Sequence, residues 1–328
     1  MTKESVAERL GSAFESLPDE AARGLPLYRG KVRDVVLGES LVLLVASDRI
    51  SAFDRILSTV PCKGEVLSRI AAFWFEATSD IVPNHVVAGP SQGPGGLSGT
   101  GRATLVRRAE MLPLEVVVRG YLSGSAWRDY EAGRPVSGIR LPKDLSFNEK
   151  FPVPVLTPSS KEAEGHDRPL SREEILSSGL VPPETWLEVE RISLALFRRG
   201  QELAAKGGLI LADTKYEFGL VDGRLTLCDE IHTPDSSRYW WADSYAARFA
   251  AADPQRELDK EPFRRWLAER GFMGEGEPPA IPDEVRVETA WRYVQAYEAI
   301  TGSSFEPLGS DPQAEARALG RIVEERLL

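Results

Sequence analysis

The 328-residue chain contains few cysteines and few histidines. Its two cysteines, Cys62 and Cys228, lie far apart, which excludes a disulfide scaffold and a Cys-x-x-Cys zinc site and suits free thiols in a reducing compartment. The three histidines are scattered, without the His-Glu-x-x-His spacing of a zinc hydrolase. Carboxylates and basic side chains must therefore carry the chemistry.

Long hydrophobic runs and an excess of positive charge are also missing. Apolar runs such as 41–46 and 209–212 are far shorter than the roughly 18 residues of a membrane-spanning helix, and the polar N-terminus lacks the apolar core of a signal peptide. The chain has 40 Lys and Arg against 50 Asp and Glu, a net charge of −10, so a globally basic surface for nucleic acid or membrane is not expected. We expect a soluble, cytoplasmic, globular protein that meets any phosphate with local positive charge.

Hydrophobic periodicity predicts a strand-rich first part and a helix-rich last part. Short β-rich runs between turn residues predict a small N-terminal sheet from strands at 31–37, 41–45 and 103–108. Apolar residues at helical spacing predict helices at 66–78 and 184–206, a helix with an apolar stripe over 287–297, and another after Ser310.

Two other segments are rich in turn residues. Residues 89–101 are uncharged and rich in Gly, Pro and Ser, which is typical of a mobile surface loop. The proline-punctuated stretch 140–171 is predicted to be a long substrate loop, because loops of that length are usually functional or disordered. No internal repeat is found in the sequence.

Three charged side chains share one face of a predicted strand. Side chains alternate along a strand, so Asp213, Lys215 and Glu217 point the same way directly after the apolar run 209–212. A solvated sheet face with incidental ion pairs is the simpler interpretation. A strand that follows such an apolar run is expected to be central, however, and charges there are costly unless they meet a metal, a ligand or each other. We therefore predict a functional cluster.

Asp229 ends the returning strand of a hairpin predicted at residues 222–223, an Asp-Gly pair. A two-residue loop places Glu217 opposite Cys228, whereas a three-residue loop places it opposite Asp229 and on the same face. The sequence leaves this register open, and a shared metal favours the longer loop. Clustered carboxylates of this kind suit Mg²⁺, which proteins usually bind through one or two carboxylates plus substrate phosphates.

Positive charge is concentrated in other segments. Lys31 and Arg33 are predicted on one face of a strand, from which two cations can reach a polyphosphate. Arg119, Ser123 and Ser125, near the end of a buried strand, and the segment 236–238 supply donors suited to a phosphate monoester. Any one of these arginines could be an ordinary surface residue, but their joint presence beside acidic side chains favours a phosphorylated substrate.

Six segments, in order along the chain, resemble the phosphoribosylaminoimidazole-succinocarboxamide synthase (SAICAR synthetase) family of purine biosynthesis. They are residues 28–34 (YRGKVRD), 47–54 (SDRISAFD), 112–125 (LPLEVVVRGYLSGS), 157–167 (TPSSKEAEGHD), 213–219 (DTKYEFG) and 229–240 (DEIHTPDSSRYW). One departure is Ser123, where the family usually has Thr or Ala.

The resemblance implies an α+β, ATP-grasp-like fold with ATP between two domains. A mostly antiparallel, nucleotide-binding sheet domain is expected over 1–113, and a larger α+β substrate domain with C-terminal helices over 114–328. The implied reaction joins L-aspartate to 5-amino-1-(5-phosphoribosyl)imidazole-4-carboxylate (CAIR), giving SAICAR, ADP and phosphate through an acyl phosphate. Because phosphoryl transfer needs mainly positioning and charge neutralisation, no side-chain nucleophile is required.

The resemblance also implies the roles of individual residues. The implied ATP-binding residues are Gly30, Lys31, Arg33 and Glu115, the last of which could instead support Arg119. The implied catalytic residues are Asp213 and Lys215, with Glu217 and Asp229 as Mg²⁺ ligands. The implied substrate-binding residues are Arg119, Ser125, Ser160, Lys161, His166, Asp167, Ser237 and Arg238.

Two other functions are compatible with the same residues. A kinase for a small molecule could use the same nucleotide site, and aspartate-dependent ADP release separates it from a ligase. A non-enzymatic nucleotide-binding regulator should have lost a metal or phosphate residue, and the sequence shows no such loss. The oligomeric state is not readable from the sequence.

Overall fold

The structure is a computed structural model that describes residues 1–90, 96–161, 167–308 and 311–328. The middle of the predicted loop 89–101 and part of the predicted substrate loop therefore lie outside the described residues. The chain forms two compact units. Unit 1 comprises Met1–Phe73, His85–Arg108 and Leu258–Leu328, and unit 2 comprises Trp74–Asn84 and Ala109–Glu257.

The described residues form a mixed α+β fold in which neighbouring strands pair antiparallel, as predicted. The strands are β1 (Leu27–Arg29), β2 (Arg33–Leu37), β3 (Leu41–Ala46), β4 (Arg49–Ala52), β5 (Arg55–Thr59), β6 (Val86–Ala88), β7 (Ala103–Arg107), β8 (Glu110–Tyr121), β9 (Lys150–Ser160), β10 (Leu209–Val221), β11 (Arg224–Cys228) and β12 (Ser237–Trp241). The helices are α1 (Lys3–Ala7), α2 (Lys63–Ala77), α3 (Gly124–Glu131), α4 (Arg172–Ser178), α5 (Pro183–Lys206), α6 (Ala242–Ala250), α7 (Glu261–Ala268), α8 (Asp283–Thr301) and α9 (Pro312–Arg326). Two short 3-10 helices occupy Leu10–Ser12 and Asp19–Ala22.

Unit 1 contains a five-stranded sheet in the order β1-β2-β3-β7-β6 and the separate hairpin β4-β5. Leu43 and Leu105 of this sheet share a buried apolar core with Leu319 and Val323 of α9. The C-terminal helix thus belongs to the same compact unit as the N-terminal sheet, whereas the domain division expected from the sequence groups it with residues 114–257. The difference arises because the sheet buries an apolar face, and the last helix of the chain helps to cover it.

The segment 31–37, predicted to be one strand, is instead a turn followed by β2. Arg29 of β1 pairs with Asp34 of β2, and the Gly30 N–H donates to the Arg33 carbonyl at 2.7 Å. Lys31 therefore lies in a hairpin turn. The prediction that Lys31 and Arg33 occupy one face of a strand was wrong, because the chain reverses direction between β1 and β2.

Unit 2 is built on a sheet in the order β11-β10-β8-β9, with β12 also beside β10. The strand that carries the DTKYEFG segment is thus central, as predicted. The long helix α5 agrees with the prediction for 184–206 and buries its apolar stripe, including Val189, Ile192 and Leu196.

The predicted loop 140–171 contains the eleven-residue strand β9. Prolines disfavour central strands because they lack an N–H donor, yet β9 lies at an edge of the sheet path, where this loss is tolerated. Pro152, Pro154 and Pro158 occupy alternate positions, and the Pro158 carbonyl accepts from the Leu170 N–H on the side away from β8. The missing N–H group of Pro158 therefore falls on that outer side.

The hairpin register left open by the sequence is the shorter one. Val221 pairs with Arg224, so Asp222 and Gly223 form a two-residue turn, with φ of 52° and 74°. These positive φ angles are typical of the type I′ turn that Asp-Gly favours. The pairing places Glu217 opposite Cys228, not opposite Asp229.

Candidate active site

One face of the unit 2 sheet brings together charged side chains of β8 and β10. Asp213 pairs with Arg119 across the two strands, and Glu217 pairs with Glu115. Lys215 lies between the two carboxylates on the same face of β10, because side chains alternate along a strand. The predicted three-charge face is therefore present, and the neighbouring strand adds two more charges to it.

The first cluster of this face centres on the Asp213 carboxylate. Its Oδ2 accepts from Arg238 Nη1 at 2.7 Å, from Arg119 Nη1 at 3.3 Å and from Ser123 Oγ at 3.2 Å. Arg119 is held further by Thr157 and Ser125. Its Nε donates to Thr157 Oγ1 at 2.9 Å and its Nη2 to Ser125 Oγ at 3.0 Å. We call Arg119, Asp213 and Arg238 the arginine cluster.

The arginine cluster places charged side chains in a buried setting. Asp213 is 4% exposed and Arg119 8%. Burial acts to raise the pKa of Asp213, but the charges of Arg238 and Arg119 outweigh it and hold the pKa below its ordinary value. Two guanidinium groups thus face one carboxylate that stays ionised. Guanidinium groups are suited to binding carboxylates and phosphates.

The absence of a side chain at Gly124 leaves room for the Arg238 guanidinium. Gly124 has a φ of 57°, a conformation that side chains disfavour, and a Cβ added there lies 2.6 Å from the Arg238 Cζ. The segment 123–125 therefore passes directly against the guanidinium, a close approach that any larger residue obstructs.

The second cluster centres on Lys215. Its Nζ donates to Glu115 Oε1 at 2.8 Å and to Glu217 Oε1 at 2.6 Å. Lys161, at the end of β9, forms an ion pair with the other oxygen of Glu217. Asp229 contributes a negative charge that acts on Lys215. We call these five residues the lysine cluster; it has three carboxylates and two ammonium groups.

The charges of the lysine cluster are stabilised by one another. Burial acts to raise the pKa of Glu217, but Lys215 and Lys161 outweigh it and lower the pKa to about 2. Burial acts to lower the pKa of Lys215, but Glu217, Asp229 and Glu115 outweigh it and the pKa rises well above its ordinary value. For Glu115 burial dominates and raises the pKa. Lys215 and Glu217 therefore remain charged at neutral pH.

The other predicted substrate residues of unit 2 lie on separate elements of the fold. Ser237 is buried, and its Oγ lies 2.8 Å from Thr214 Oγ1 on the strand pair β10-β12. Ser160 accepts from the Arg168 N–H at 3.1 Å. Asp167 is exposed, and His166 lies outside the described residues.

Two residues beside the arginine cluster were given no role by the family resemblance, although the sequence had indicated Ser123 as a possible phosphate donor. Ser123 and Thr157 each bond a charged member of the cluster. Both stand in segments that carry the resemblance, so the signal was present. Their specific roles depend on the pairing of β8 with β9 and β10, which no local pattern gives.

The predicted ATP residues of unit 1 lie in the β1–β2 hairpin. Lys31 is exposed and forms an ion pair with Asp54, in the turn between β4 and β5. Glu115 was also predicted to bind ATP, and its observed partner is Lys215.

Two features are absent from the described residues: a membrane-spanning helix and a preformed group of metal ligands. No helix in this part of the chain has the length and apolar character to cross a membrane. No group of three or more His, Cys, Asp or Glu side chains among these residues is arranged to hold a metal ion.

The fold and the site define a class of protein: an α+β protein with buried clusters of paired charges on one face of an antiparallel sheet. Comparison with known proteins gives the family. The SAICAR synthetase family pattern matches residues 26–279. The chain is 45% identical over 302 residues to the phosphoribosylaminoimidazole-succinocarboxamide synthase of Cytophaga hutchinsonii, covering 90% of this chain and 94% of that one. It is 47% identical over 286 residues to that of Bacteroides thetaiotaomicron, covering 85% and 88%.

A solved structure agrees with these relatives. SAICAR synthase from Saccharomyces cerevisiae, complexed with SAICAR, matches with a TM-score of 0.77 at 33% identity, over 90% of this chain and 100% of that one. The chain therefore belongs to the SAICAR synthetase family, as its six segments predicted. Its activity is the ATP-dependent ligation of L-aspartate to CAIR in purine biosynthesis.

Proposed function

We propose that the arginine cluster binds an anionic group of CAIR, with Ser125 and Ser237 as further substrate-binding residues. The support is the pair of buried or half-buried guanidinium groups that Asp213 holds together, a donor arrangement suited to a phosphate or carboxylate. The yeast relative is a complex with SAICAR, the product of the same ligation. In this proposal Asp213 positions the two guanidinium groups so that they meet the substrate in a fixed orientation.

The lysine cluster has the donor chemistry that a magnesium ion requires. Glu217 and Asp229 provide the hard oxygen atoms that Mg²⁺ prefers, and the cluster has one more carboxylate than ammonium groups. Glu217 also bonds Lys215 and Lys161, so the metal must share this carboxylate with them. Two protein carboxylates with phosphates and water are a usual magnesium environment. We propose Glu217 and Asp229 as its ligands; bound there, Mg²⁺ neutralises charge on the transferred phosphoryl group.

The β1–β2 turn is proposed to bind the ATP phosphates. Gly30, Lys31 and Arg33 lie in or beside this turn, and Lys31 is exposed. A turn presents consecutive backbone N–H groups together with its side chains, and such groups attract anions. The proposal keeps these residues from the sequence prediction but replaces the strand face by a hairpin turn.

The proposed reaction has two steps. A carboxylate oxygen of CAIR attacks the γ-phosphorus of ATP, the bond from that phosphorus to the β–γ bridging oxygen breaks, and ADP leaves. The aspartate amine then attacks the carbonyl carbon of the acyl phosphate, the bond from this carbon to the phosphate oxygen breaks, and the amine loses a proton. No protein atom is covalently modified in either step, so the protein contributes positioning and charge.

Lys215 and Glu217 can contribute the fixed charge that this reaction requires. Because the pKa of Glu217 is about 2 and that of Lys215 lies above its ordinary value, neither group exchanges a proton near neutral pH. They act through fixed charge: Lys215 stabilises developing negative charge, and Glu217 holds Lys215 and Lys161. Catalytic roles of this kind are lost when the charge is removed, even if the size of the side chain is kept.

The observation that carries the proposal is the pair of charged clusters on one face of the unit 2 sheet. Its test is ADP release from ATP and Mg²⁺, measured with CAIR alone, with L-aspartate alone and with both. We expect turnover only with both. Equal ADP release with CAIR in the absence of L-aspartate contradicts the proposed coupling and favours a kinase. An ATP-grasp-like classification and a cytoplasmic location stay predictions of the sequence.

A further inference from the structure

The turn between β1 and β2 is held by a segment to which the proposed mechanism assigns no role. The Ser47 backbone N–H and Oγ both donate to the Val32 carbonyl, each at 2.9 Å. Arg49 donates from Nη2 to the Gly30 carbonyl at 2.9 Å and from Nε to the Lys31 carbonyl at 3.2 Å. Three consecutive carbonyls of the turn are thus bound by two residues of the SDRISAFD segment.

The Arg49 side chain is itself fixed from the interior of unit 1. It is 7% exposed, and its Nη2 also donates to Asp34 Oδ1 at 2.7 Å. Asp34 is fully buried and accepts from the Leu17 N–H at 2.6 Å. Arg49 Nη1 donates to the Glu15 carbonyl. A guanidinium can serve these acceptors at once because its five N–H groups diverge in one plane, whereas all donors of a lysine share one nitrogen.

Holding the carbonyls determines where the amide groups of the turn point. The C=O and N–H of a trans peptide group point in opposite directions. With the Gly30 and Lys31 carbonyls bonded to Arg49, the N–H groups of Lys31 and Val32 are directed away from the guanidinium. Arg49 therefore sets the orientation of the amides that the proposed function assigns to the triphosphate.

We propose that Arg49, assisted by Ser47, is a positioning residue for ATP. Neither residue is needed to touch the nucleotide; each holds the turn in the conformation in which Lys31 and the amides meet the phosphates. This inference rests on the proposed function of the turn, and it extends the site to a segment that the resemblance left without a role.

The test compares Arg49→Lys with Lys31→Ala and with the double variant. KM for ATP, CAIR and L-aspartate and kcat are measured by ADP release, and ADP affinity by calorimetry. We expect Arg49→Lys to raise the KM for ATP about tenfold, the effect of losing one or two hydrogen bonds, with the KM for CAIR within about twofold of wild type. The double variant should bind ATP no more weakly than Lys31→Ala, because both changes disable the same turn.

Arg286→Lys is the matched control. Arg286 also belongs to unit 1, pairs with a carboxylate and donates from Nε to a backbone carbonyl, that of Thr59, at 2.8 Å. Among the described residues its bonds go to Thr59, Asp283 and Leu10 and not to the β1–β2 turn, so the KM for ATP of this variant should equal that of wild type. If Arg49→Lys does not fold, Ser47→Ala replaces it, with an expected rise of about threefold for one lost hydroxyl bond.

The outcomes distinguish a failure of the positioning role of Arg49 from a failure of the proposed ATP-binding role of the turn. If Lys31→Ala raises the KM for ATP and the Ser47 and Arg49 variants do not, the positioning role is wrong while the proposed function stands. If Arg49→Lys alters the KM of all substrates equally, its role is general stability and the positioning role is again overturned. If Lys31→Ala leaves ATP use unchanged, the proposed role of the turn is wrong and the inference falls with it.

Discussion

Replacing Gly124 by alanine should weaken CAIR binding without unfolding the protein. The added Cβ lies 2.6 Å from Arg238 Cζ, too close for the guanidinium to keep its place. The obstructed atoms are the far end of a long side chain, so Arg238 can move at little cost to the fold. Its bond of 2.7 Å to Asp213 is then lost or distorted, together with the orientation proposed for the substrate.

The expected free-energy effect of Gly124→Ala has two parts. A side chain at positive φ costs about 1–2 kcal/mol of folding free energy, and this part concerns stability alone. Losing a hydrogen bond between charged groups costs about 1.5–3 kcal/mol, and the displacement of Arg238 carries this part into substrate binding. At 1.4 kcal/mol per factor of ten, CAIR affinity should fall about tenfold to a hundredfold.

Gly133→Ala separates the two parts. Gly133 has a φ of 69°, close to the 57° of Gly124, but nothing lies within 4 Å of an added Cβ. In urea titrations Gly133→Ala shows the cost of the positive φ alone, and Gly124→Ala should lose at least as much free energy of unfolding because its bond from Arg238 to Asp213 is also disturbed. Only Gly124→Ala should lose CAIR affinity in calorimetry and show a raised KM for CAIR. Equal CAIR affinities in the two variants would refute the contact between Arg238 and the substrate.

Three further predictions concern the two clusters. Arg119→Lys keeps the charge but loses the fork that reaches Thr157 and Ser125, so CAIR affinity should fall by about 1–3 kcal/mol; wild-type affinity in calorimetry would make Arg119 purely structural. Glu217→Gln and Asp229→Asn should each abolish most turnover, with the double variant little worse if both hold one metal; near-wild-type rates of either single variant at low Mg²⁺ would contradict the shared site. Because the pKa of Glu217 is lowered from 4.5 to about 2, its ionised form stabilises the fold above pH 4.5, and this contribution is lost as the pH falls towards 2. The difference in unfolding free energy between wild type and Glu217→Gln should therefore shrink between pH 6 and pH 3.5, and an unchanged difference would contradict the assignment.

Local patterns predicted the elements whose signal lies within a few residues. The apolar stripe of α5 and the Asp-Gly turn between β10 and β11 were recognised correctly, because a helix and a tight turn each depend on neighbouring side chains. β9 was missed because its prolines disfavour a strand unless their positions face the outside of a sheet. That condition depends on the neighbouring strand β8, which ends at Tyr121, about thirty residues before β9 begins at Lys150.

In the site, local sequence predicted which side chains share a strand face but not their partners on the neighbouring strand. Alternation along a strand correctly predicted that Asp213, Lys215 and Glu217 share a face. The partner of Asp213 is Arg119, 94 residues earlier in the chain, and the partner of Lys215 is Glu115, 100 residues earlier. These pairs depend on the register between β8 and β10, and a shift of one residue would turn the cluster to the opposite face.

By itself the sequence determined the family, the reaction class and the residue types that carry the chemistry, because six ordered segments and their charged side chains are properties of the linear chain. Three features follow from the folded chain alone. They are the pairing of the buried charges, the position of Lys31 in a turn held by Arg49, and the packing of the C-terminal helix with the N-terminal sheet. These facts depend on contacts between segments distant in sequence. Such contacts form where burial of apolar surface and pairing of backbone groups are satisfied for the whole compact unit, a condition that no local window of sequence contains.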